Sequence, residues 1–108
     1  IKGRIMENKI QEMQILEQNL QQMIYQKQAF QMELSETISA AKEIEKSKEG
    51  VFKVVGQLMI QKEKSEIEEE LEEKEKILQL RVESIAKQEG PLREKLEQIR
   101  EELMAKQK

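Results

Sequence analysis

The chain has no histidine, no cysteine, no tryptophan and no aspartate in 108 residues, a single proline and three aromatic side chains made up of two Phe and one Tyr. Each gap closes a route. Without Cys there is no disulfide framework and no thiolate metal site. Without His the commonest general base and the commonest metal ligand are both missing. Ser35, Ser39, Ser47, Ser65 and Ser84 have no imidazole to activate them as nucleophiles. The four Gly residues, at 3, 50, 56 and 90, stand alone, so no glycine-rich phosphate cradle exists and each reads as a turn or a break. With 3 % aromatics and 38 % charged residues, a conventional globular core is hard to build. No apolar run approaches membrane-spanning length, and no signal-peptide pattern opens the chain. The net charge of −3, with both signs interspersed, lacks the basic face of a nucleic-acid binder. These features lead to expectations of no enzyme activity, no cofactor, no metal, no nucleic acid and no membrane partner, with the cytoplasm as location. The sequence begins at Ile1 rather than Met, as expected of a trimmed or partial chain.

What is present is a set of strong helix formers: Glu, Lys, Gln, Leu, Ile and Met. From Met6 to Ser47 they carry a heptad. Met6, Met13, Leu20, Lys27, Leu34 and Ala41 fall at a; Lys9, Leu16, Met23, Phe30, Thr37 and Ile44 fall at d. Nine of these twelve are apolar, which predicts a coiled-coil helix over 6–47. Ile10, Ile24 and Ile38 widen the stripe. Lys42, Lys46 and Lys48 suit a helix C-terminus, and Gly50 is a plausible stop. A second helix is predicted over 65–106. It opens on the Ser65–Glu68 capping box; Leu71, Leu78, Ile85, Leu92 and Ile99 recur every seven residues at d, with Glu68, Glu75, Val82, Glu89, Leu96 and Leu103 at a. Gly90-Pro91 predicts a kink or a short interruption, since proline removes a helical hydrogen bond and crowds the preceding turn.

Two helices of about 42 residues joined by a compact segment predict an antiparallel pair, each helix about 60 Å long at 1.5 Å per residue. In such a pair a faces d. Positions whose numbers sum to 112 then pair Met13 with Ile99, Leu16 with Leu96, Leu20 with Leu92, Phe30 with Val82, Leu34 with Leu78 and Ala41 with Leu71. The same register sets Met23 against Glu89, Thr37 against Glu75, Ile44 against Glu68, and Lys27 against Ile85.

Residues 51–62, VFKVVGQLMIQK, break the helical period. They are β-branched and aromatic, and Gly56-Gln57 suits a two-residue type II′ turn that pairs Val55 with Leu58 and Val54 with Met59. The resulting β-hairpin carries Val51, Val55, Leu58 and Ile60 on one face and Phe52, Val54 and Met59 on the other. A lone two-stranded hairpin is marginal in water, and two apolar faces with two open edges demand partners. Intermolecular sheet assembly is the expectation; folding back on its own helices is the alternative.

Apolar residues also crowd the other ends of the helices. Ile5, Met6, Ile10, Met13, Ile15 and Leu16 lie near the start; Leu92, Leu96, Ile99, Leu103 and Met104 lie near the finish. This exceeds what a two-helix seam buries, and methionine is over-used on surfaces that accept many partners. An ordinary seam with fraying ends is the plainer reading. The glutamate pairs in 68–73 read as a solvated helix face rather than paired catalytic carboxylates, and Tyr25 stands alone on a Gln-rich face.

The helix, β-hairpin, helix order, the stretch VFKVVGQLMIQK and the stretch LQLRVESIAKQEGPLREKLEQ at 78–98 resemble the β subunits of archaeal prefoldins. The resemblance covers nearly the whole chain. It implies a mainly α fold: one prefoldin-like domain over 1–108, a long antiparallel two-helix coiled coil with one β-hairpin at the elbow, and hairpins assembling into an intersubunit β-barrel. It also implies an ATP-independent holdase subunit, in a hexamer of two α-type and four β-type subunits, that binds non-native proteins at its coiled-coil tips and delivers them to a group II chaperonin. Carried onto this chain, Val51, Phe52, Val54, Val55, Gly56, Leu58, Met59 and Ile60 become assembly residues. Ile5, Met6, Ile10, Met13, Leu16, Leu92, Leu96, Ile99, Leu103 and Met104 become client contacts. The competing reading is a structural or adaptor coiled coil that binds no client.

Overall fold

The computed structural model describes residues 2–106, with the side chains of Lys2 and Lys106 left out of the description. Two long helices enclose a two-stranded antiparallel hairpin: α1 (Lys2–Lys46), β1 (Val51–Val55), β2 (Leu58–Lys62) and α2 (Lys64–Lys106). The chain divides into two compact units, residues 1–28 with 83–108 and residues 29–82.

In the first unit the seam between α1 and α2 is a cluster of Leu16, Leu20, Leu96, Ile99 and Leu103, with Met13, Ile24 and Leu92 packed against it. These are the a and d residues of the heptads, together with one member of the flanking Ile10, Ile24, Ile38 stripe. Ion pairs edge the seam. Glu12 meets Lys95 at 3.4 Å, Glu17 meets Arg100 at 3.3 Å, and Lys9 pairs with Glu102. Glu12 and Lys95 precede a positions while Glu17 and Arg100 follow d positions, the g–g′ and e–e′ contacts that flank an antiparallel pair. With at least one exposed partner, each contributes little, about 0–1 kcal/mol.

The second unit repeats the scheme around Leu78, which at 3 % exposed is the most buried apolar side chain described. Thr37 is buried too, and its hydroxyl donates to the Glu33 carbonyl at 2.8 Å, so the polar layer is satisfied within α1. Phe30 lies half-buried under the Arg81 guanidinium, 5.4 Å from the ring centre, and Glu33 pairs with Lys74 at 3.3 Å.

Three local expectations are corrected. The second helix starts at Lys64, not at a Ser65 cap: the amides of Glu66 and Ile67 donate to the Glu63 carbonyl at 3.1 and 3.3 Å, which places Ser65 inside the first turn. Glu68 is exposed, and Ile67 takes its place in the seam. The buried and half-buried apolar and polar positions there run Ile67, Leu71, Glu75 and Leu78, two four-residue steps in succession where a strict heptad alternates three and four, a stutter that locally unwinds the pair. It keeps a carboxylate out of the seam and leaves Glu68 beside Lys64, 3.9 Å away. The first helix ends at Lys46, before Gly50. Its last turn closes with the Ser47 amide on the Ile44 carbonyl at 3.1 Å, and its free carbonyls are met from the other helix: Lys64 Nζ donates to Glu45 O at 3.1 Å and Ser47 O at 3.2 Å. Finally, the interruption expected at Gly90-Pro91 does not occur: α2 continues through both residues. Both residues are exposed, as is Lys87, whose carbonyl loses its partner to the proline and faces water instead.

The burial pattern separates neighbours on α2. Leu78→Ala is expected to lower unfolding free energy by about 2–4 kcal/mol, and Leu80→Ala, on the exposed face, by less than about 0.5 kcal/mol. Urea titration followed by helical circular dichroism reads both, and equal losses would contradict the seam described.

Candidate assembly hairpin and apolar helix ends

The hairpin is placed by the residues around it. Val51↔Lys62, Phe52↔Gln61, Lys53↔Ile60, Val54↔Met59 and Val55↔Leu58 are paired, the register that the Gly56-Gln57 turn predicts. Gly56 has φ of 62°, and among the described residues no other has positive φ, so the first turn position has positive φ and the second does not, as a type II′ turn requires. Directly paired residues share a face. One face therefore holds Val51, Lys53, Val55, Leu58, Ile60 and Lys62; the other holds Phe52, Val54, Met59 and Gln61.

Two lysines of the hairpin pair with α2, and a third at the start of α2 ties the two helices together. Lys53 meets Glu70 at 3.1 Å, Lys62 meets Glu66 at 4.0 Å, and Lys64 spans to the end of α1. Lys53 and Lys62 belong to the first face, so that face is tethered to the glutamates opening α2. The second face carries no charge at all. Of the eight expected assembly residues only Val51 is half-buried, and the rest are exposed, with Val54 and Met59 at 67 % and 69 %. The hairpin does not fold back onto its own helices.

The expected client residues divide sharply. Leu16, Leu96, Ile99 and Leu103 are buried in the α1–α2 seam. Met6, Met13 and Leu92 are half-buried along it. Ile5, Ile10 and Met104 are exposed. The reason is helical phase: the buried four are a and d residues, whereas the exposed three lie outside both rows. Ile15, outside the expected client set, is exposed beside them. Its signal was available, since it is an isoleucine at neither a nor d. Tyr25, Met32, Ile77 and Leu80 are also exposed, away from both seam rows.

The seam holds one further polar feature. Glu89 is buried at 6 % exposed, and Lys27 Nζ stands 2.8 Å from its Oε1. The contact is ionic, its angle outside hydrogen-bond geometry. Arg93 approaches the other oxygen at 3.7 Å. Lys27 and Glu89, expected against Ile85 and Met23, instead meet across adjacent layers. Among the described residues no group of three Asp, Glu, His or Cys side chains is arranged to hold a metal ion, and no helix is long and apolar enough to cross a membrane.

Two long helices joined by one exposed two-stranded hairpin define a prefoldin-type subunit architecture. The sequence model of the prefoldin subunit family matches residues 7–108, and the chain belongs to that family. It is 42 % identical to the prefoldin subunit beta of Thermococcus onnurineus over 78 residues, which are 70 % of this chain and 67 % of that protein. It is 35 % identical to the prefoldin subunit beta of Methanothrix thermoacetophila over 85 residues, 77 % of this chain and 71 % of the relative. The crystal structure of the prefoldin beta subunit from Thermococcus strain KS-1 superposes with a TM-score of 0.84 at 31 % identity, covering 93 % of this chain and 90 % of that one. The beta2 subunit from the same strain shares the fold, with a TM-score of 0.72 at 22 % identity over 81 % of this chain and 95 % of that one. The expected family and fold class are thereby met, and the chain is a prefoldin-type chaperone subunit.

The turn makes a direct prediction. Gly56→Ala puts a Cβ on left-handed backbone, which costs about 1 kcal/mol or more. Cross-strand nuclear Overhauser contacts between Val54 and Met59 are expected to weaken while helicity stays constant. Unchanged contacts would mean that the turn does not hold the register.

Proposed function

We propose that this chain is an ATP-independent holdase subunit whose hairpin joins those of an α-type partner and further β subunits, two α and four β, in an intersubunit β-barrel. The free ends of its helix pair hold non-native proteins and pass them to a group II chaperonin in the cytoplasm. The observation that carries this reading is the hairpin itself: two faces bearing apolar residues and two open strand edges, exposed from Phe52 to Gln61. A scaffold that only spaces other proteins has no use for such an element, whereas a subunit that joins a sheet requires it. Family membership and the names of the relatives, prefoldin subunit beta, supply the class of assembly.

Holding requires exposed apolar groups that do not already serve the fold. Ile5, Ile10, Ile15 and Met104 meet that condition and are the first-contact residues of this proposal. Met6, Met13 and Leu92 follow from the seam's edge, and Leu16, Leu96, Ile99 and Leu103 become available to a client only where the helices part. Each contact is weak, and several subunits in one complex multiply it.

Assembly and holding are separable. Val54→Glu combined with Ile60→Lys is expected to abolish the complex with an α-type partner in size-exclusion chromatography with light scattering, with helicity retained; an intact complex would overturn the assembly role. In a turbidity assay without nucleotide, the complex is expected to suppress aggregation of a chemically unfolded client. Ile5, Ile10, Ile15 and Met104 all changed to Ser should weaken that suppression several-fold, since each loses on the order of 1–2 kcal/mol of available apolar burial. A formed complex that suppresses nothing would make the chain a structural coiled coil.

A further inference from the structure

The charges inside the seam are sorted by helix. Over the heptad rows, the charged a and d residues of α1 are Lys9 and Lys27, both cations. Those of α2 that remain in the seam are Glu75 and Glu89, both anions, because the stutter moves Glu68 to the surface. The deepest of them, Glu89, has Lys27 at 2.8 Å. Lys9 likewise reaches Glu102 of α2.

We propose that the Lys27–Glu89 pair is a partner-choice determinant, admitting α1–α2 pairing within one chain and rejecting pairing of either helix with its counterpart in a second copy. The apolar rows alone do not make this choice. Leu16, Leu20, Leu34, Leu78, Leu96 and Ile99 pack acceptably against copies of themselves, in either direction. The charged layers do make it. In a parallel α1–α1 pair Lys27 meets Lys27, and in a parallel α2–α2 pair Glu89 meets Glu89. Turned antiparallel, α1 still offers Lys27 no acid at any a or d position, and α2 still offers Glu89 no base at one. Every same-helix arrangement therefore leaves Lys27 or Glu89 without a counterion inside the a and d rows, where burial penalises an unpaired charge most. Arg93 shares the Glu89 carboxylate at 3.7 Å but is exposed, so it does not replace Lys27 inside the seam. A subunit whose helices stand near those of its neighbours needs such a filter, because a shared apolar code invites the wrong pairing. The proposal concerns the helices alone and does not depend on how the hairpin assembles.

The test uses the full chain carrying Val54→Glu, so that the hairpin does not obscure helix pairing. Lys27→Leu alone and Glu89→Leu alone should each lower the thermal midpoint by roughly 10 °C, because each leaves the other charge unpaired. Lys27→Leu with Glu89→Leu should restore the midpoint or raise it, yet self-associate at least about tenfold more tightly in sedimentation equilibrium, since apolar layers replace the discriminating one. Lys27→Glu with Glu89→Lys should recover both the midpoint and the parent's weak self-association. A double-Leu variant that associates no more tightly than the parent would overturn the proposal, as would a swapped variant that recovers the midpoint but not the weak association.

Discussion

The contact on which the rest depends is the two-helix seam. A pair of helices has no third layer to close over its apolar stripe, so every buried side chain must lie on the line where α1 faces α2. This accounts for the sharp division between Leu78 at 3 % exposed and Leu80 two residues later at 65 %. It also accounts for the polar layers. In so thin a core a lysine stem spans from one layer to the next, and Lys27 reaches Glu89 without leaving the seam. Thr37 solves the same problem within its own helix, through the Glu33 carbonyl.

Because the seam takes all the burial the helices can offer, nothing remains to cover the hairpin. Lys53 and Lys62 fasten it to the start of α2 through charges rather than through apolar packing. Its apolar residues are thus left in solvent in the single chain. The same economy governs the free ends of the helices, where Leu16, Leu96, Ile99 and Leu103 are spent on the seam while Ile5, Ile10, Ile15 and Met104 stay in solvent. An apolar residue near a helix end is therefore not by itself a binding residue; its heptad phase decides.

Much of this was legible in the sequence. The seven-residue period locates the helices and the buried rows of the first unit, and Gly56-Gln57 fixes the hairpin register, because each rests on a local rule. What escaped were features set by contacts distant in sequence. The stutter at Ile67 depends on how the elbow meets the seam, so a strict count from Leu71 selected Glu68. The start of α2 at Lys64 depends on carbonyls of α1 that only the fold brings near. The continuity of α2 through Pro91 depends on the solvent exposure of that turn, which the proline alone does not reveal. The Lys27–Glu89 contact crosses two layers, and a scheme that matches positions one to one overlooks it.

The central claim is that the hairpin is unpartnered in the single chain and becomes part of a continuous sheet in the assembly. Amide hydrogen–deuterium exchange over residues 51–62 tests it most directly, measured on the chain alone and after addition of an α-type prefoldin subunit. The account predicts fast exchange in the free chain, and protection of at least about tenfold across both strands in the complex, as the open edges gain hydrogen-bond partners. A complex that forms while residues 51–62 exchange as fast as before would contradict it.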